Sequence, residues 1–174
     1  MTNDTSSADT APLPAPVPQG LVDRLAYWAA MAGGLLAVAL AMLVVTSVLS
    51  RWLFNRPIEG DFEIAQHATA LAVFAYLPLT HLQRSNIMVD TFTMHLRLRT
   101  RQIMDAFWDM ALALIMGVFT AGLGVAALEA VKNHEATMQL QLLIWPAIAV
   151  SAALSALLVA AAMTTAIRSI RGQP

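Results

Sequence analysis

Few side chains in this 174-residue chain are suited to acid–base or metal chemistry, and their spacing decides what they could serve. Glu63 and His67 stand four apart, which places both on one face of a helix. Such a pair would suit a proton relay or half of a metal site. The plainer reading, favoured here, sets Glu63 at a membrane interface with Arg51 or Arg56 as its partner, and His67 bonded to a neighbouring helix. His81 is expected to be solvated near the lipid headgroups. His134-Glu135 opens like a zinc-protease helix, but Met138 stands where the second histidine belongs, so that motif is absent. Asp105 and Asp109 lie one turn apart near the start of a helix, where acidic residues are favoured, and Arg101 is placed to pair with Asp105. The absence of cysteine removes disulfides, thiolate metal sites and cysteine nucleophiles together. No serine stands with a base, and no glycine loop could cradle a phosphate. The expectation is a protein with no catalytic site, no bound cofactor and no metal.

The elements around these residues are written in the charge distribution. The chain is 58% hydrophobic and 12% charged, with mean hydropathy +0.64, against about 25% charged in an ordinary soluble domain. Uncharged runs of 26, 20, 19 and 32 residues follow Arg24, Glu63, Asp109 and Glu135. A bilayer-spanning helix needs about 20 mostly apolar residues. The reading is an all-α membrane protein of four transmembrane helices, at about 22–49, 62–82, 103–131 and 142–167, in a domain covering 21–171. Residues 1–20, rich in Thr, Ser, Ala and Pro, read as a disordered cytoplasmic tail. A net charge of −1 and no Lys/Arg-rich arm make nucleic acid an unsuitable partner.

Small residues recur at every fourth position: Ala29, Gly33, Ala37 and Ala41 in the first helix, Ala113, Gly117 and Ala121 in the third, and Ala152, Ala156 and Ala160 in the fourth. Such stripes let helices approach closely in lipid. Pro78 is expected to kink the last turn of the second helix. Trp28, Trp52, Trp108 and Trp145 all fall near helix ends, at the level that indole rings favour. Seven arginines flank one side and three basic residues (Arg51, Arg56 and Lys132) the other, which places both termini in the cytoplasm. Between the second and third helices, Val89, Phe92 and Leu96 form a short apolar stripe just before Arg97, Arg99 and Arg101. This segment reads as a short interfacial helix, its arginines reaching membrane lipid phosphates, with a solvated loop as the alternative.

Two stretches carry a family resemblance. After the first helix the chain reads Arg51-Trp52-Leu53-Phe54-Asn55-Arg56-Pro57-Ile58-Glu59-Gly60-Asp61-Phe62-Glu63, and after the second Arg84-Ser85-Asn86-Ile87-Met88-Val89-Asp90-Thr91-Phe92. With four helices and cytoplasmic termini, they resemble the small membrane subunit of tripartite ATP-independent periplasmic (TRAP) transporters over roughly 22–167. Many members have a tryptophan and paired glutamates near Gly60-Asp61-Phe62-Glu63, and a histidine where Asn86 stands. The resemblance implies a multi-pass protein of the bacterial inner membrane that scaffolds a much larger, multi-helix transport subunit. That subunit would hold the substrate and sodium sites, and a periplasmic substrate-binding protein would deliver an organic acid. The resemblance makes Arg51, Trp52, Asn55, Pro57, Glu63, His67 and Asp90 candidates for structure and assembly. Arg51 and Glu63 would brace the outer ends of the first two helices, and Asp90 would cap the interfacial helix.

Two other classes compete. A diheme anchor of a redox complex needs facing histidines on different helices. His67 and His81 share one helix, 14 residues or about 21 Å apart by helix rise. A stand-alone, homo-oligomeric small-molecule exporter would use the small-residue stripes for self-association, but no acidic residue lies mid-span to couple protons.

Overall fold

The computed structural model describes residues 20–56, 58–83 and 98–170. Four helices make up most of them: α1 (Leu21–Phe54), α2 (Asp61–Leu82), α3 (Leu98–Lys132) and α4 (Trp145–Ile170). The helical architecture follows the uncharged runs. Three segments, Leu21–Phe54, Ile103–Lys132 and Trp145–Ser169, are long and apolar enough to cross a membrane. α2 has 22 residues and continues through Pro78, whose ring is fully buried, to Leu82.

The helix ends differ from the sequence expectation for local reasons. Nothing before Asn55 interrupts α1, so Arg51, Trp52 and Phe54 stay helical. The helix stops where Asn55 takes the left-handed conformation (φ 54°, ψ 26°), one that asparagine tolerates. α3 starts at Leu98, so Arg99 and Arg101 belong to its first turns rather than to a connection. α4 begins at Trp145 instead of residue 142. The chain from Glu135 to Ile144 forms a small hairpin, with Thr137 N–H donating to Leu142 O at 2.9 Å and Ile144 N–H to Glu135 O at 3.2 Å. Pro146 then occupies the first turn of α4, where a missing N–H costs nothing. Pro57, Asp90, Arg97 and the stripe Val89, Phe92 and Leu96 lie outside the described residues, as do 1–19 of the tail.

The packing inverts the pattern of a soluble bundle. Buried positions are small: Ala26, Ala30 and Gly33 of α1, Ala68, Ala72 and Ala75 of α2, and Ala161, Ala162 and Ala166 of α4. Large apolar side chains point outward, among them Leu35, Leu114 and Val118. This arrangement suits a medium as apolar as the side chains themselves, in which close backbone approach supplies the attraction. Gly33 makes the α1–α2 contact possible: a methyl group there would sit 2.8 Å from Ala75 Cβ. α4 packs against all three other helices. Its inner face is Ser151, Ser155, Leu158, Ala162 and Thr165.

Only part of each expected stripe is in contact. Gly33 and Ala113 are buried, but Ala41, Ala121 and Ala156 are exposed, and the space beside Gly117 is open. In α4 the contact face starts one position earlier, at Ser151 and Ser155. Their hydroxyls can be buried because Ser151 donates to Ala147 O at 2.9 Å, while Ser155 pairs with Thr120 Oγ1 at 2.8 Å.

Candidate functional site

Polar chemistry collects at the two ends of the bundle. At the loop end, the α1–α2 connection meets the α3–α4 hairpin. Gly60 precedes α2 with φ +74°, a conformation costly for other residues, and Leu140 of the hairpin lies directly on it. A methyl group at Gly60 would run into Leu140 Cγ, so both backbone and space require glycine. The neighbouring Asp61 Oδ2 accepts a short hydrogen bond from Ser47 Oγ of α1. Ser50 Oγ donates to Arg56 O at 2.7 Å, which folds the end of α1 onto the connection.

Glu63 lies in the first turn of α2 and is the hub of this end. Its Oε1 accepts the Gln139 N–H at 2.7 Å and its Oε2 the Leu140 N–H at 3.1 Å. One carboxylate thus holds two backbone donors of the hairpin through charge-assisted bonds. The expected pairing with Arg51 or Arg56 is not what forms, since no ion pair joins them to Glu63 among the described residues. Arg51, Ile58, Glu59, Gly60, Asp61 and Gln139 instead line an open cleft of about 540 Å³. His67 also departs from expectation. Its Nδ1 donates to Glu63 O at 2.7 Å, within its own helix rather than to a neighbour. Trp52 and Asn55 are exposed.

At the terminal end, the start of α1, the end of α2, the start of α3 and the end of α4 come together. Arg168 of α4 donates to Asp23 of α1 through both terminal guanidinium nitrogens, Nη2 at 2.9 Å and Nη1 at 3.4 Å. His81, expected to be solvated, is 9% exposed, because the small faces of α2 and α4 bring its ring against Thr165 and Asp109. Its Nε2 lies 3.1 Å from Thr165 Oγ1 and 3.4 Å from Asp109 Oδ1, so three helices meet at one imidazole. The sequence held one usable signal for this: His81 near the end of one helix and Asp109 near the start of the next lie at matching depth.

Among the described residues, no cluster of three His, Asp or Glu side chains could hold a metal ion. Every buried side-chain nitrogen and oxygen described there has a hydrogen-bond partner. The buried polar groups therefore fasten elements to one another, and the Arg51 cleft is an open polar surface at the loop end.

No curated protein and no solved structure matches the chain. A family model does, described as tripartite ATP-independent periplasmic transporters, DctQ component, over residues 40–172. That match runs from mid-α1 beyond the end of α4 and takes in both the Glu63 hub and the His81 cluster, so the chain belongs to the DctQ component family of tripartite ATP-independent periplasmic transporters.

Proposed function

We propose that this small membrane subunit of a TRAP transporter acts as a scaffold. It braces a larger, multi-helix transport subunit during ion-coupled, sodium-driven uptake of an organic acid, which a periplasmic binding protein supplies. The observation that carries the reading is where polarity lies. Mid-bundle contacts are made by Gly33, Ala72, Ala75, Ala113 and Leu158, with Thr120 and Ser155 paired to each other. The stronger polar groups fasten the two ends. A bundle organised this way is a stiff body, with a broad apolar exterior on α1 and α3 to offer to lipid and to a partner.

In this reading α2 is the fourth span. Its 22 residues rise about 33 Å, enough for a hydrocarbon core of about 30 Å. The loop end carries Arg51, Arg56 and Lys132 and faces the periplasm. The arginine-richer terminal end faces the cytoplasm of a bacterial inner membrane. Arg99 and Arg101, in the first turns of α3, lie on that side, at the level of the lipid phosphates.

Gentle detergent extraction of the tagged chain from its native membrane, with mass spectrometry of co-purifying proteins, tests the proposal. A stoichiometric, much larger polytopic partner is expected. A chain that purifies alone or as a homo-oligomer would overturn it and favour the exporter. Within the complex, Arg51→Ala should lower assembly yield more than it changes apparent substrate affinity. Unchanged yield with altered affinity would put Arg51 at a substrate path instead.

A further inference from the structure

The scaffold role makes no use of a buried histidine that meets a half-buried aspartate and a buried threonine on two other helices. The positions of the hydrogens in that cluster can be worked out. Thr165 Oγ1 lies 2.9 Å from Ala162 O and 3.2 Å from Ala161 O, and a carbonyl oxygen only accepts. The single hydroxyl hydrogen is therefore committed to the backbone of α4, and Thr165 offers His81 a lone pair. The hydrogen between them sits on His81 Nε2, and Asp109 Oδ1, at 3.4 Å, shares it. Nδ1 is the ring position left to gain or lose a second proton.

Among the described side chains, the charged groups on the surrounding elements are few. α3 presents Asp109 and, one turn earlier, Asp105. α4 presents Arg168, which is engaged by Asp23 of α1 at 2.9 Å, and α1 also carries the exposed Arg24. Among the described residues, His81 is the basic group within ion-pair reach of Asp109. Charge inside an apolar bundle is expensive unless it is matched, and opposite charges attract more strongly there than in water.

We propose that His81, Asp109 and Thr165 form a proton-binding site. A proton arriving at His81 Nδ1 converts a hydrogen bond from a neutral imidazole to a carboxylate into an imidazolium–carboxylate pair, which draws the terminal ends of α2 and α3 together. Its departure leaves Nε2–H as a neutral donor and slackens them. Nearer mid-bundle, Phe74 of α2 stacks on Phe119 of α3 with centroids 6.1 Å apart, so the change is confined to the turns beyond that ring pair.

The absence of cysteine permits a direct test. Spin labels at Gln83→Cys and Phe107→Cys, both exposed positions, report the α2–α3 distance in the full chain in lipid nanodiscs. From about pH 8 to about pH 5, the interval in which histidine changes charge, the distance distribution should shorten and narrow. The same labels in His81→Gln and Asp109→Asn backgrounds should show no pH response. A distribution that ignores pH with His81 present overturns the proposal, as does an undiminished response in His81→Gln. If neither variant folds, a chain whose other histidines (His67, His95 and His134) are replaced by glutamine allows 15N NMR of the His81 ring alone. Protonation of Nδ1 at the midpoint of the distance change is expected, and a ring that keeps one state throughout refutes the site.

Discussion

The two ends of this bundle are fastened by different chemistry. At the loop end, Glu63 grips backbone N–H groups of the α3–α4 hairpin while Leu140 presses on a bare glycine backbone at Gly60. At the terminal end the helices are joined side chain to side chain, Asp23 with Arg168 and His81 with Asp109 and Thr165. A clasp on backbone groups tolerates changes in the gripped side chains, because Gln139 and Leu140 contribute amides that any residue but proline possesses. A clasp between side chains is specified residue by residue on both partners. The loop end should therefore depend on Glu63 and on Gly60 with the Leu140 side chain above it, whereas the terminal end should respond to a change on either partner.

Substitutions can break or sharpen that contrast. The largest effect should come from Gly33→Leu, which lies between the ends and serves both. It forces α1 off Ala75 and should cost on the order of 3 kcal/mol, read from unfolding in mild detergent. Stability matching wild type would show that the α1–α2 contact is not close.

Next comes Gly60→Ala, which combines left-handed strain with displacement of Leu140 and should cost about 2 kcal/mol. Adding Leu140→Ala should restore the steric share while leaving the conformational share. A double variant no better than the single would separate Leu140 from the effect.

Glu63→Gln should act locally. The Gln139 and Leu140 amides would exchange hydrogen faster than in wild type, while the rest of the bundle keeps its rates. Unchanged exchange at those two amides would mean that the carboxylate is not their acceptor.

Asp23→Asn should be the mildest, below about 1 kcal/mol, because Arg168 is 40% exposed and water replaces much of the lost attraction. A larger loss would mark the terminal end as the less solvated of the two.

The four helices, three of them long and apolar enough to cross a membrane, were legible because bilayer thickness imposes a length and an absence of charge on the sequence. The end of α1 at Asn55 was less so, since an asparagine can equally continue a helix, and it is the left-handed turn that stops it. The contact stripes were legible only in part. In helices this rich in alanine, several four-residue stripes run in parallel, and spacing does not separate the one through Ala26, Ala30 and Gly33 from the one through Ala37 and Ala41. The Glu63 site was visible as a carboxylate at a helix start, yet its partner was not, because backbone amides carry no residue signature. His81 was misjudged because its position near a helix end implies water, whereas the small faces of α2 and α4 close over it.

The Glu63 clasp joins residues 76 and 77 positions apart along the chain. α1 and α2 are neighbours in sequence and can pair as soon as both have left the ribosome, with Gly33 already opposite Ala75. Glu63 then waits without its acceptor role filled until the hairpin after α3 is made. α4, which packs on all three other helices, follows later still. Biogenesis of this protein thus has a built-in final step, and a nascent chain stalled before residue 139 exposes an unclaimed carboxylate at the mouth of a half-built bundle.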